Sequence, residues 1–243
     1  MSLDERACTR LRATTRFGDI RFVPTIDSTN RALMDLASAG AAEGTVLYTD
    51  HQTAGRGRLG RSWDAPPGSA LLVSILLRPF GLEPDRLHLV TAAVALAGRD
   101  ACEAVGGFRP DLKWPNDLLV DDRKLAGILA VAGPVAGPVA GPVTTPVAAP
   151  GRGGPGGQGP GGAGRAPGQS VVVVGMGLNL TVAPEGAVYA AAIAGRPVER
   201  DALLEALLTR LEGRLDDWDR VAAAYRRACA TVGRRVRVDL AGS

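Results

Sequence analysis

Residues 53–63 read TAGRGRLGRSW, which sets Arg56, Arg58 and Arg61 among Gly55, Gly57 and Gly60 and closes on Trp63. Glycines let backbone N–H groups come close to an anion, and arginines offer paired donors to phosphate. The pattern suits a clamp on a phosphate-bearing ligand, and equally a mobile basic surface loop. It is not the common phosphate-binding loop, because the chain contains no Gly-Lys pair for one.

A second group lies in KWPNDLLVDDRKLAGIL, residues 113–129. Asp121 and Asp122 separate two apolar runs and read as a hairpin turn. A two-residue turn sets Leu119 opposite Lys124 and leaves Asp117 on the same face, a diagonal step of roughly 7–8 Å away. The carboxylate and the ammonium then line one pocket, or form a surface ion pair worth under about 1 kcal/mol. Trp114, before Pro115, reads as a core anchor. In DSTN, Ser28, Thr29 and Asn30 put polar groups at a helix start, for a ligand or for capping. In GMGLNL, Asn179 follows Gly175 and Gly177 on an apolar run, where a buried amide needs partners. His51 and His88 lack companions at metal-ligand spacing, so no metal site is expected.

These residues need elements to hold them. The stretch from Asp27 to Gly40 has a capping start, apolar Leu33, Leu36 and Ala37 at helical spacing, and a glycine stop. Residues 45–49, 69–79, 111–114, 117–120, 124–131 and 170–178 read as strands. Residues 84–107 read as a long helix entered at Pro84 and ended at Gly106. Residues 199–218 form an amphipathic helix, continued by a second through Tyr225. Strands joined as hairpins under a few helices predict an α+β domain with a mixed sheet flanked by helices.

Length allows one sizeable core: 243 residues, 46% hydrophobic and 22% charged, with a net charge of only +3. That charge suits an anionic small substrate as well as nucleic acid. Cys8, Cys102 and Cys229 show neither metal spacing nor a disulfide framework, which points to the cytoplasm. The N-terminus lacks a signal-peptide core, and no apolar run approaches the roughly 18 residues of a membrane span. Residues 132–169 repeat AGPV and then turn Gly-rich, a composition that cannot bury a core and reads as a disordered insertion. The strands on either side are expected to be neighbours, so the insertion is an enlarged hairpin loop.

Taken in order, DSTN, HQTAGRGRLGRSW, LKWPNDLLV, RKLAGIL and GMGLNL resemble the successive motifs of the biotin protein ligases. The likeness runs from about Phe22 to Asn179 and continues loosely to about residue 232. It implies the catalytic domain shared by biotin and lipoate ligases and akin to class II aminoacyl-tRNA synthetases, here spanning residues 1–232 around the 132–169 insertion. Residues 233–243 would begin a truncated SH3-like domain.

The resemblance further implies ATP-dependent formation of biotinyl-5′-AMP, assisted by Mg²⁺. The biotinyl group then passes to a lysine of a biotin carboxyl carrier protein or domain of acetyl-CoA or acyl-CoA carboxylase. Ser28, Thr29, Asn30, Gln52, Arg56, Gly57, Arg58 and Lys124 match the family's biotin positions. Arg58, Arg61, Trp63 and Asn179 match its nucleotide positions. Lys124, Arg58 and Asp117 are the expected catalytic residues, with Asp117 orienting the incoming amine. The glycine-rich loop is expected to order over the adenylate. About 20 residues precede the first catalytic element, too few for the DNA-binding domain of some relatives, so neither DNA nor membrane is an expected partner. A monomer or a homodimer fits. Lipoate–protein ligase, or a biotin-binding protein without full turnover, remain the rival readings.

Overall fold

The apolar run after Ser69 forms β3 (Ala70–Leu77), in which every residue is buried. A strand buried on both faces belongs at the centre of a layered sheet, and that is where it lies. The computed structural model describes residues 3–133 and 170–235. The remainder of the expected insertion (134–169) and most of the expected SH3-like strand (236–243) fall outside the described residues.

The elements run α1 (Glu5–Thr14), β1 (Asp19–Ile26), α2 (Thr29–Ser38), β2 (Thr45–Gln52), β3, α3 (His88–Ala101), β4 (Asp111–Lys113), β5 (Asp117–Val120), β6 (Arg123–Gly133), β7 (Val171–Asn179), α4 (Ala190–Ala194), α5 (Arg200–Glu212) and α6 (Trp218–Ala228). The strands form one seven-stranded sheet in the order β1-β2-β3-β7-β6-β5-β4. β1 and β2 are parallel and every other neighbouring pair is antiparallel, so the expected mixed sheet is present. β6 and β7 are direct antiparallel neighbours, as their flanking of the insertion predicted.

Two-residue alternation divides the faces. Val73, Ile75 and Leu77 of β3, and Val172, Val174, Met176 and Leu178 of β7, join the main core with α1, α3, α5 and α6. The opposite face carries a smaller cluster in which Leu33 and Ala37 of α2 cover Leu47, Leu76, Val171 and Val173. Beyond the start of α2 that face is open, and the motifs gather there.

Some boundaries differ from the sequence reading. The long helix opens with a 3-10 turn at Pro84–Arg86 and ends in a π-turn, Cys102–Gly106, capped by left-handed Gly107 (φ 75°). The helix expected over 199–218 breaks at Gly213, and α6 starts separately where Asp217 accepts from the Arg220 N–H. α1 had no counterpart in the sequence reading; Asp4 caps it, and Ala7 and Leu11 bury its inner face. Among the described residues, no helix is long and apolar enough to cross a membrane.

Candidate active site

The open end of the sheet face holds a cavity of about 730 Å³. Its wall includes Ser28, Thr29, Asn30, Gln52, Arg56, Gly57, Arg58, Arg61, Trp63, Asp117 and Lys124, so eleven of the twelve residues singled out from sequence meet in one place. Asn179 is the exception: buried at the end of β7, its amide donates to the Val188 carbonyl at 3.0 Å, and it is not on the cavity wall.

One part of the wall is a neutral polar network. The Thr29 N–H donates to Gln52 Oε1 at 2.8 Å. Ser74 Oγ lies 2.7 Å from Thr29 Oγ1 and 2.6 Å from Asn30 Oδ1, while Asn30 Nδ2 donates to the Leu129 carbonyl at 3.0 Å. Thr29 Oγ1 is also 3.0 Å from Gln52 Oε1. The two amide carbonyls can only accept, so the Thr29 hydroxyl donates to Gln52, and the single Ser74 proton serves Asn30 Oδ1 and Thr29 Oγ1. The network holds the Gln52 and Asn30 amides in set orientations and leaves Gln52 Nε2 as a donor toward a ligand. Asn30 reaches this place because residue 175 is glycine: a Cβ there would stand 2.3 Å from Asn30 Oδ1. Ser28 caps α2 by position only, since its side chain makes no capping bond; the hydroxyl is not spent on the helix.

Ser74 was missed from sequence. It is the polar break in the buried run Leu71–Leu77, fully buried, and the reasoning that marked Asn179 applies to it equally.

The glycine–arginine run is a tight hairpin. Arg56 and Ser62 form an antiparallel bridge, Gly57 N–H donates to the Arg61 carbonyl at 2.7 Å, and Trp63 N–H donates to the Gly55 carbonyl at 2.9 Å. At its tip Leu59 (φ 57°) and Gly60 (φ 73°) are left-handed, which turns the chain within four residues. Arg56, Arg58 and Arg61 stand exposed, and none has a carboxylate partner among the described residues. Trp63 returns over the sheet and lies on the cross-strand pair Gly127 and Gly177. A Cβ at Gly177 would be 2.4 Å from Trp63 Cε2, and one at Gly127 would be 3.1 Å from Cζ3. Two glycines make a flat floor for an aromatic ring, and the indole Nε1 is buried there without a partner.

Lys124 lies 5.6 Å from the Trp63 ring centroid and its Nζ is 2.8 Å from Asp117 Oδ1. That oxygen is buried, and the Lys124 ammonium is its charge partner. Asp121 and Asp122 form the expected turn with positive φ (50° and 59°), as a two-residue hairpin needs. Leu119 pairs with Lys124 as expected, but a bulge then shifts Asp117 opposite Gly127. Asn116, unmarked in the sequence reading, accepts the Ile128 N–H on its carbonyl, donates Nδ2 to the Ile128 carbonyl at 2.9 Å, and meets Arg58 Nη1 at 3.4 Å. Trp114 is not the expected core anchor: it is 50% exposed on the cavity rim, because the Trp114–Pro115 turn carries it off the sheet.

Comparisons with known proteins place this fold and cavity in a family. The Biotin/lipoate A/B protein ligase family model matches residues 22–134. A biotin–[acetyl-CoA-carboxylase] ligase of Mycobacterium tuberculosis is 33% identical over 99% of this chain and 82% of its own length. The chain belongs to the biotin/lipoate A/B protein ligase family. The bifunctional ligase/repressor BirA of Bacillus subtilis is 38% identical over 43% of this chain and 32% of its own. A biotin protein ligase from Aquifex aeolicus, solved with biotin and ATP, shares the fold with a TM-score of 0.63 at 22% identity, covering 88% of this chain and 79% of that one.

Proposed function

We propose that this chain activates biotin with ATP to biotinyl-5′-AMP, releasing pyrophosphate, and passes the biotinyl group to a lysine of a biotin carboxyl carrier domain. One observation carries the reading: a single cavity joins a fixed neutral network (Thr29, Asn30, Gln52, Ser74) to four cations (Arg56, Arg58, Arg61, Lys124). That combination suits a ligand with a neutral urea head and a carboxylate that must meet a phosphate.

The carboxylate is already ionised near neutral pH, so activation needs no strong base. It needs cations to bring two anions together and to stabilise charge on the α-phosphate. Lys124, with Arg56 and Arg58 on the hairpin, fills that role; Arg61 orders the hairpin tip. Trp63 on its glycine floor offers a flat face to the adenine, and Asn179 lies one alternation beyond Gly177 toward the same side. Mg²⁺ bound with ATP would neutralise triphosphate charge; it is commonly held by one or two carboxylates together with the phosphates, and Asp35 is the wall carboxylate that would hold it.

Transfer requires the carrier lysine, with an ordinary pKa of about 10.4, to lose a proton before it attacks the mixed anhydride. Asp117, on the cavity wall beside Lys124, is the carboxylate we assign to orient that amine. We assign the carrier to acetyl-CoA or acyl-CoA carboxylase and the setting to the cytoplasm, with the described residues up to 232 acting as one catalytic domain. Biotin-dependent ATP–pyrophosphate exchange, run with lipoate as competitor, tests the reading. Exchange driven by biotin and indifferent to lipoate is expected; exchange driven by lipoate alone would move the chain to the lipoate ligases.

A further inference from the structure

Beyond α6 the chain runs beside β4. Cys229 forms a parallel bridge with Leu112, and the Ala230 N–H donates to the Leu112 carbonyl at 2.8 Å. A parallel ladder would next place the Trp114 N–H on a backbone carbonyl. The Thr231 hydroxyl accepts it instead, at 3.2 Å. Thr231 therefore closes the edge of the sheet onto the Trp114–Pro115 turn, and it lines the cavity itself. The anchor behind it is firm, since Trp218 and Val221 hold α6 in the core.

The turn so held carries two groups of the site. Asn116 meets Arg58 of the arginine hairpin, and Asp117 is paired with Lys124. We infer that Thr231 is a positioning residue for adenylation, acting through the 114–117 turn on the placement of Arg58 and Lys124. This rests on the function proposed above. The residue is 117 positions from the turn it holds and has no part in the urea-binding network, so its effect falls on kcat, through the cations that meet the two anions.

The test compares Thr231→Val, which keeps the shape and removes the acceptor, with Thr231→Ser, which keeps the hydroxyl. Three readouts are taken on the full chain: kcat of biotin-dependent pyrophosphate exchange, the biotin Kd, and deuterium exchange at the Trp114 amide. Loss of one hydrogen bond of this kind corresponds to roughly a two- to tenfold change. Thr231→Val is expected to lower kcat by about that factor, with a smaller change in Kd, and to speed amide exchange, with Thr231→Ser restoring both. Wild-type kcat and amide protection in Thr231→Val would overturn the inference, as would a serine variant as impaired as the valine one. A wild-type chain without biotin-dependent exchange would overturn the functional reading itself, and the Trp114 amide would still report whether Thr231 holds the turn.

Discussion

Lys124 and Asp117 share one face of the sheet, 2.8 Å apart, and Leu125 is an extra residue in the strand between their two pairing registers. Without a bulge, Lys124 and Gly127, three residues apart, would point to opposite faces. The bulge puts both on the cavity side while Leu125 and Ala126 are both buried. The pair is partly exposed (41% and 22%) and adds at most about 1 kcal/mol to stability. Its value is chemical. Lys124→Met is expected to abolish adenylate formation, while Asp117→Asn should keep adenylation within a few-fold and slow transfer to the carrier by roughly 100-fold. Single-turnover kinetics of the two half-reactions separate these; equal loss in both steps from Asp117→Asn would remove its assigned role.

Arg58 is exposed and touches the fold through one long contact, to Asn116 at 3.4 Å. Arg58→Ala is therefore expected to change stability by less than about 0.5 kcal/mol while losing most biotin-dependent pyrophosphate exchange. Exchange at the wild-type rate would sink the assignment of this hairpin as the phosphate clamp.

Ser74→Ala removes the centre of the polar network and takes the hydroxyl donor from Asn30 Oδ1. A loss of about 1–3 kcal/mol in unfolding free energy is expected, with weakened biotin binding by calorimetry. Unaltered biotin affinity would mean that the Asn30 and Gln52 amides are oriented by something else.

The glycine floor makes a steric prediction. A methyl group at 177 meets the rigid indole of Trp63 at 2.4 Å, whereas one at Gly133 meets the flexible Met34 methyl at the same distance. Gly177→Ala should displace Trp63, shift its fluorescence and raise the KM for ATP, while Gly133→Ala is tolerated because methionine can move aside. The same fluorescence and KM in both variants would deny the floor its role.

Burial pushes the Cys102 thiol up from 9.0 to about 12. The folded chain thus keeps a proton that the unfolded chain gives up above pH 9, so this contribution is complete below pH 9 and is lost as the pH rises toward about 12. Burial raises the Tyr225 phenol as well, reinforced by Cys229 and Asp117. The unfolding free energy from denaturant titrations should fall at alkaline pH, by up to about 1.4 kcal/mol per pH unit from the thiol, and less steeply in Cys102→Ala. An equal slope in both proteins would contradict this.

The parts of the site visible in the sequence were those with local signatures: arginines spaced by glycines, an Asp-Asp hairpin turn, a capped helix start. What stayed hidden depends on contacts distant in sequence. Ser74 looks like one polar letter in an apolar strand until β3 is laid against α2. Leu125 looks like an ordinary strand residue until the pairing slips past it. Trp114 read as core because a tryptophan beside apolar runs usually is; the turn at Pro115 sends it to the rim instead. Asn179 was rightly marked as a buried amide needing a partner, but the partner observed is the Val188 carbonyl.

The central claim is tested most directly by incubating the chain with biotin, ATP, Mg²⁺ and a biotin carboxyl carrier domain and weighing the carrier intact. The account predicts one biotinyl group added per carrier, dependent on ATP and absent when the target lysine is replaced. A carrier of unchanged mass beside a chain that binds biotin would contradict it.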